Sequence, residues 1–194
     1  MSWRDFSYLR HGTVRQRAAC DCLHALGVMA TLKEFHPTLV STICIDIDVA
    51  TSDLDIICQW DSPQIFTQKL QTVYGRQSRF KLFPFNLMNS AVIAEFVFGG
   101  FTIEIFGQPL PVEQQNAYRH LTIMSRLLLC GGKHLRETVR ELKRRGWKSE
   151  AAFSSCLGLT GDPYGALFEL ELLSQDEMAD FVESRSWRFR RSRT

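Results

Sequence analysis

The sequence predicts an α+β protein: a mixed β-sheet packed with helices, followed by a C-terminal helical region. Segments rich in β-branched and aromatic residues occur up to residue 106, in the order strand, strand, helix, strand, hairpin. From residue 112 onward, apolar residues recur at helical spacing instead. With 194 residues and 45% hydrophobic content, the chain is long enough for one compact core, or for a core with a helical appendage.

The N-terminal part contains two predicted helices and the predicted sheet. Helical spacing of apolar residues predicts an amphipathic helix over residues 14–34 that braces the sheet. A second helix begins with Ser62 as N-cap and Pro63 at its first position, and stops at Gly75. Strands are predicted after Pro37 and over residues 53–58, 80–85, 90–98 and 101–106. A Gly-Gly turn at 99–100 joins the last two as a hairpin.

The C-terminal part is predicted to be helical. Helices are expected over residues 112–129, 133–145, 149–157, 162–172 and 174–183, with Gly131-Gly132 ending the first. The basic run around Trp147 is interpreted as a charged helix end beside a buried Trp, in preference to a contact for single-stranded nucleic acid. Residues 184–194 contain five arginines and two aromatics, which predicts a flexible basic tail. The predicted domains are therefore 1–110, 111–183 and the tail at 184–194.

Composition and motifs exclude several classes of protein. The net charge of +2 gives no support for strong nucleic-acid binding. No apolar run approaches the about 20 residues of a membrane span, and the N-terminus lacks the apolar stretch of a signal peptide, so a cytoplasmic protein is expected. Six cysteines without metal-ligand spacing predict reduced thiols and no zinc site. Phosphate-loop, nucleophile-elbow and His-Glu-x-x-His motifs are absent from the sequence.

Two aspartates open the predicted strand at 53–58. Asp53 and Asp55 are two residues apart, so a strand directs both side chains to one face. Like charges that close repel inside an apolar strand, and a divalent cation would neutralise them. Glu104 lies between two isoleucines on the second hairpin strand and adds a third carboxylate. The alternative is a pair on an edge strand facing water, where it needs no partner.

A rival acidic pair precedes these residues. Asp46 and Asp48 alternate with Ile45, Ile47 and Val49, which is typical of a half-exposed strand. We interpret both carboxylates as solvated, or as residues at the mouth of the cleft. Their loss is expected to matter less than the loss of Asp53.

The arrangement of these residues resembles the DNA polymerase β-type nucleotidyltransferase superfamily. The resemblance consists of the hydroxyl pair Ser41-Thr42, a spacer, the run Ser-Asp-Leu-Asp at 52–55 and a later acid flanked by aliphatic residues, and it covers about residues 37–106. The stretches 52–58, 106–109 and 112–120 more closely resemble a family of small bacterial proteins, a domain of unknown function, placed in that superfamily. This closer resemblance extends through most of the chain.

The superfamily resemblance implies a nucleotidyltransferase-like sheet and a reaction type. Its members hold Mg²⁺, or Mn²⁺, with three carboxylates and transfer a nucleotidyl group from a nucleoside triphosphate to an acceptor hydroxyl, releasing pyrophosphate. It assigns Asp53 and Asp55 to bridging two metal ions, and Glu104 to the acceptor-side metal and to deprotonating the acceptor. The acceptor would be a small molecule, an RNA end or a protein.

The resemblance also implies a nucleotide site at Ser41, Thr42 and Ser52. Superfamily members usually carry Gly-Ser or Gly-Gly where this chain has Ser41-Thr42, the glycine letting the backbone approach the triphosphate. This departure favours the alternative function, a non-catalytic or regulatory module that binds nucleotide or a partner protein.

Four polar residues follow the last predicted strand and are candidates for the cleft. The helix predicted from Val112 begins only a few residues after Glu104, so its first turns are expected near the carboxylates. The candidates are Gln108, Gln115, Arg119 and His120. The alternative is that they are ordinary polar residues on a helix face.

Overall fold

The computed structural model of the chain describes residues 3–86 and 90–187. It contains a five-stranded mixed sheet with the strand order β1-β2-β5-β4-β3. Strands β2 and β5 run parallel, and the other neighbouring strands are antiparallel. The strands span Thr38–Leu39 (β1), Leu54–Gln59 (β2), Ser78–Asn86 (β3), Ala91–Phe98 (β4) and Phe101–Gln108 (β5). The predicted α+β class with a mixed sheet is therefore confirmed.

Seven α-helices accompany the sheet in the described ranges. They span Val14–Leu26 (α1), Val28–Thr31 (α2), Pro63–Tyr74 (α3), Asn116–Arg144 (α4), Ser149–Leu157 (α5), Pro163–Phe168 (α6) and Gln175–Glu183 (α7). Helix α3 has the predicted ends, because the Ser62 hydroxyl accepts a hydrogen bond from the Ile65 N–H and Gly75 follows the last turn. No helix in the described part of the chain has the length and apolar character needed to span a bilayer.

One face of the sheet forms the core against α3. Side chains alternate along each strand, and register partners on neighbouring strands point to the same face. The residues on this face include Leu54, Ile56, Ile103, Ile105, Ala94 and Phe96. All six are at most 1% exposed. Tyr74 of α3 stacks on Phe96 with ring centroids 4.9 Å apart. Consequently the residues at alternating positions, among them Asp55 and Glu104, lie on the opposite face.

The first predicted helix is interrupted. Gly27 adopts a left-handed conformation with φ of 65° and caps α1, where a single helix over residues 14–34 was expected. Short helices follow at Val28–Thr31 and, in 3-10 form, at Lys33–Phe35. Glycine ends a helix in this way because it lacks the Cβ atom that penalises positive φ.

The predicted strand carrying Asp46 and Asp48 is wrong. Thr42–Ile45 form a 3-10 helix, and Asp46 follows it with φ of 58°. The Asp46 carboxylate lies 2.7 Å from the Arg140 guanidinium and 3.7 Å from that of Arg136. Asp46 is thus held by an ion pair, and not merely solvated as expected.

The chain divides into two compact units. One comprises Met1–Cys44 with Ser52–Gln115 and contains the sheet; the other comprises Ile45–Thr51 with Asn116–Thr194 and contains α4 to α7. Helix α4 is broken at Gly132, which has φ of 59° and ψ of −148°, in agreement with the predicted terminator. Helix α7 begins where it was predicted, and Ser174 and Glu177 form a capping box at its start.

Two predictions for the C-terminal part need correction or qualification. Helix α6 ends at Phe168, four residues before the predicted end at Leu172, and turns continue from Glu169. The predicted tail begins with turns over residues 184–186, and its residues 188–194 lie outside the described residues.

The six cysteines are free thiols, and five of them are buried. Burial raises the pKa of Cys44 and of Cys156 to about 12. Because the thiolate is the reactive form, these two side chains act as small apolar groups at neutral pH.

Candidate functional site

A row of acidic side chains crosses the sheet on the face away from α3. Asp55 of β2 pairs in register with Glu104 of β5, and Glu104 pairs with Glu95 of β4. Register partners on neighbouring strands direct their side chains to the same face. Asp53 lies two residues before Asp55, just ahead of β2. The sheet therefore brings together carboxylates that are 49 positions apart in the chain.

Glu95 was missed by the sequence reasoning, although a signal for it was present. A two-residue turn at Gly99 and Gly100 pairs Phe98 with Phe101, and counting outward places Glu95 opposite Glu104. Directly opposed like charges destabilise a sheet. Lys81 of β3 is the next register partner, and its ammonium group lies 3.9 Å from the Glu95 carboxylate. With exposed fractions of 65% and 36%, this pair offsets only part of the repulsion.

Ser41 fixes the backbone that carries Asp53. Its hydroxyl donates a hydrogen bond to the Asp53 carbonyl oxygen at 2.5 Å and accepts one from the Ile43 N–H at 3.3 Å. The Ser41 side chain is fully buried. Because the hydroxyl is already bonded to the chain itself, Ser41 supports the loop before β2. The predicted contact between Ser41 and a nucleotide stays a prediction.

The other two predicted nucleotide residues lie beside this loop. The Thr42 hydroxyl is 3.5 Å from the Ser52 hydroxyl, and both residues are partly exposed. The Ser52 carbonyl oxygen accepts a hydrogen bond from the guanidinium of Arg15 at 2.8 Å. Arg15 of α1 thus places a cation one residue from Asp53. Nothing in the spacing of α1 singles out Arg15 among its neighbours, so the sequence reasoning missed it.

The fit of a metal ion to the three predicted ligands is incomplete. Asp55 and Glu104 present hard carboxylate oxygens on one face. Across residues 3–86 and 90–187, however, no group of three or more His, Cys, Asp or Glu side chains is arranged to hold a metal ion. Mg²⁺ is usually bound by one or two carboxylates together with water and substrate phosphates. The residues therefore fit a two-carboxylate site completed by substrate, and not a three-carboxylate cage formed by the protein alone.

Two of the predicted cleft residues belong to the sheet unit. Gln115 is 1% exposed, and its amide donates hydrogen bonds to the carbonyl oxygens of Cys58 and Leu110, both at 2.9 Å. It ties the end of β2 to the segment that follows β5. Gln108 ends β5, is partly buried, and its carbonyl oxygen accepts a hydrogen bond from the Trp60 N–H.

The remaining two cleft candidates make contacts within the helical unit. Arg119 donates hydrogen bonds to both carboxylate oxygens of Glu171, and its guanidinium lies 4.2 Å from the centroid of the Phe168 ring. His120 is buried, stacks on Phe168, and donates from Nε2 to the Tyr164 carbonyl oxygen at 3.1 Å. These contacts favour the alternative that both are structural helix residues.

Replacing Glu171 by Gln is expected to lower the free energy of unfolding by about 0.5–1 kcal/mol at pH 7, since the Arg119 pair is partly exposed. The Arg119 hydrogen bonds lower the pKa of Glu171 below its ordinary value of 4.5. The carboxylate therefore stabilises the fold above that value and loses its contribution as the pH falls through the lowered pKa. Urea unfolding of both proteins at pH 7 and in acid should show the difference shrinking in acid.

The control for this prediction is Glu141→Gln, which removes a carboxylate from an exposed pair with Arg145. It is expected to change the free energy of unfolding by less than about 0.5 kcal/mol. A Glu171→Gln difference that is the same at both pH values would show that ionisation of Glu171 contributes nothing.

Fold and site together define a class: an α+β protein whose mixed sheet carries a row of carboxylates on one face. The chain belongs to the family described as a domain of unknown function, DUF4269, whose model matches residues 21–170. The match begins in α1 and extends past α6, so it includes every strand of the sheet. No curated protein and no solved structure matches the chain. The predicted resemblance to a family of unknown function is therefore confirmed, and membership of the nucleotidyltransferase superfamily stays a prediction.

Proposed function

We propose that this protein is a Mg²⁺-dependent nucleotidyltransferase that moves a nucleoside monophosphate from a nucleoside triphosphate to an acceptor hydroxyl. The observation that supports the proposal is the β2–β5 register, in which Asp55 and Glu104 are partners on one face and Asp53 precedes them. Its second support is the resemblance of residues 37–106 to the nucleotidyltransferase superfamily. The sheet is interpreted as nucleotidyltransferase-like on the same grounds.

The proposed roles follow from the chemistry of the carboxylates. Asp55 and Glu104 would hold Mg²⁺, with Asp53 beside them, and the bound ion would neutralise charge on the phosphates. The acceptor oxygen forms a bond to the α-phosphorus, the bond from that phosphorus to its bridging oxygen breaks, and pyrophosphate leaves. Glu104 takes the proton of the acceptor hydroxyl as general base. Arg15, whose guanidinium donates a hydrogen bond to the Ser52 carbonyl oxygen, places a positive charge beside this loop.

A second candidate function is a non-catalytic module that binds nucleotide or a partner protein. The observation that favours it is the buried side chain of Ser41, which occupies the place where superfamily members usually carry glycine. A backbone without a side chain there approaches phosphates more closely.

The proposal is tested by titrating the purified protein with ATP, GTP, CTP and UTP in a calorimeter, first with Mg²⁺ and then with EDTA. We expect Mg²⁺-dependent binding of at least one triphosphate. Acceptors would then be sought by following release of pyrophosphate from that nucleotide. Metal-independent binding of a triphosphate would favour the nucleotide-binding module, and no binding of any of the four would favour a module for a protein partner.

A further inference from the structure

The second half of α4 and the residues after it concentrate positive charge. Residues 133–148 contain seven lysines and arginines and only two glutamates, although the whole chain has a net charge of +2. Two of these arginines, Arg136 and Arg140, are paired with Asp46. We define the α4 basic end as the four cations closest to the helix terminus together with one aromatic residue: Lys143, Arg144, Arg145, Lys148 and Trp147.

The two arginines of the α4 basic end share one acidic neighbour. Glu141 is shared by two guanidinium groups, those of Arg144 at 3.4 Å and Arg145 at 3.1 Å. Both arginine side chains are more than half exposed, so these pairs are weak and open to exchange with another anion. One carboxylate against two guanidinium groups also leaves an excess of positive charge. The α4 basic end is therefore an electrostatic surface for a polyanion.

Trp147 lies between Arg145 and Lys148 in the chain and is 45% exposed, contrary to the predicted buried Trp. The reason is the helix ending. Gly146 has φ of 91°, its N–H donates to the Lys143 carbonyl oxygen, and the Trp147 N–H donates to that of Leu142 at 3.2 Å. These bonds are typical of a Schellman ending, which fixes the backbone of the residue after the glycine. The indole of Trp147 is therefore partly exposed to solvent on a fixed backbone, where the flat ring of a nucleic-acid base can stack on it.

We propose that the α4 basic end binds single-stranded nucleic acid, with a base stacked on Trp147 and phosphates on Arg144, Arg145 and Lys148. A basic surface combined with an exposed aromatic side chain is how proteins bind single strands without sequence preference. In a duplex the faces of the bases are covered by their neighbours, so the indole has no role there. Cations at a helix C-terminus also stabilise the helix by interacting with its dipole. That effect would explain why lysines and arginines occur there, but it does not explain why Trp147 is exposed.

This inference does not depend on the nucleotidyltransferase proposal, because binding is measured without turnover. The experiment follows the fluorescence anisotropy of a short, labelled, unstructured RNA titrated with the full chain at several salt concentrations. We expect Trp147→Ala to weaken binding about tenfold, and Trp147→Phe to restore most of the affinity by keeping an aromatic ring. We expect Arg144→Ala/Arg145→Ala to reduce the slope of log affinity against log salt by about 1.4, as two phosphate contacts require.

Matched controls separate the surface from general effects of losing a ring or a charge. Tyr164→Ala removes an aromatic side chain that is 46% exposed, in the same helical unit. Arg17→Ala/Arg76→Ala removes two exposed arginines from the sheet unit. Both controls should bind RNA like the unmodified protein.

Four results of the RNA titrations would each overturn the inference, and a competition experiment adds a fifth. They are unchanged binding by Trp147→Ala, undetectable binding by the unmodified protein at low salt, equal affinity for duplex and single strand, and loss of binding on deleting residues 188–194 alone. The last result would assign the contact to the arginine-rich C-terminus. Equal competition by poly-glutamate would indicate an acidic protein partner and would also reject it.

Discussion

Replacing Asp53 by Asn is expected to weaken Mg²⁺-dependent nucleotide binding about 10–100-fold while leaving the fold intact. Loss of a residue that orients a metal ligand typically lowers metal affinity by this factor, and Asp53 lies beside the proposed ligands Asp55 and Glu104. The fold should be retained, because Ser41 bonds to the Asp53 carbonyl oxygen and not to its side chain. Removing one charge near Asp55 should also relieve repulsion in the free protein.

The measurement combines calorimetric titration of the nucleotide that binds the unmodified protein with urea unfolding of both proteins. Asp61→Asn is the matched control, because Asp61 is an exposed aspartate just beyond the other end of β2. It should leave both affinity and stability close to those of the unmodified protein. If Asp53→Asn unfolds the protein and metal affinity is unchanged, the aspartates are structural and the proposed function loses its main support.

The sheet and most helices could be predicted because their signals are local. Ser62, Pro63 and Gly75 specify the ends of α3 through a cap, a fixed φ and a helix stop. Gly99 and Gly100 have φ of 57° and 81°, the positive values that a tight hairpin turn requires. Each of these effects acts within a few residues, so no knowledge of the rest of the chain is needed.

The segment between Ser41 and Asp53 could not be predicted by the same reasoning. The alternation of Ile45, Asp46 and Ile47 is equally compatible with a strand and with the observed 3-10 helix followed by a turn. The carboxylate of Asp46 is paired with Arg140, 94 positions later in the chain. A partner at that distance leaves no trace in local periodicity.

In the candidate site, too, local features could be predicted from the sequence and contacts between distant segments could not. Strand alternation predicts a shared face for Asp53 and Asp55, although Asp53 lies just ahead of β2, and Glu95 opposes Glu104 because the hairpin turn has two residues. The pairing of Asp55 with Glu104 depends on a parallel register between distant strands, which the sequence does not specify locally. Likewise, Gln115 is polar in sequence but buried in the fold, where it bonds the carbonyl oxygens of Cys58 and Leu110.

Replacing Gly107 by Ala is expected to lower the free energy of unfolding by about 1–3 kcal/mol, as typical for overpacking a filled core. A Cβ atom at this position would lie 2.3 Å from a ring carbon of Phe66 and 2.8 Å from one of Trp60. Both rings are buried, at 0% and 5% exposed, so neither can move aside freely. The measurement is urea unfolding, and Phe66→Leu in the Gly107→Ala background should recover part of the loss.

Gly100→Ala is the matched control, because a Cβ atom there meets no atom within 4 Å and only the positive φ of 81° is unfavourable. Its expected cost is about 1 kcal/mol from backbone strain alone. Gly107 and Glu104 are three residues apart on β5 and therefore face opposite sides of the sheet. If Gly107→Ala costs no more than Gly100→Ala, Gly107 does not face α3. The placement of Glu104 on the carboxylate face would then be wrong, independently of any ligand.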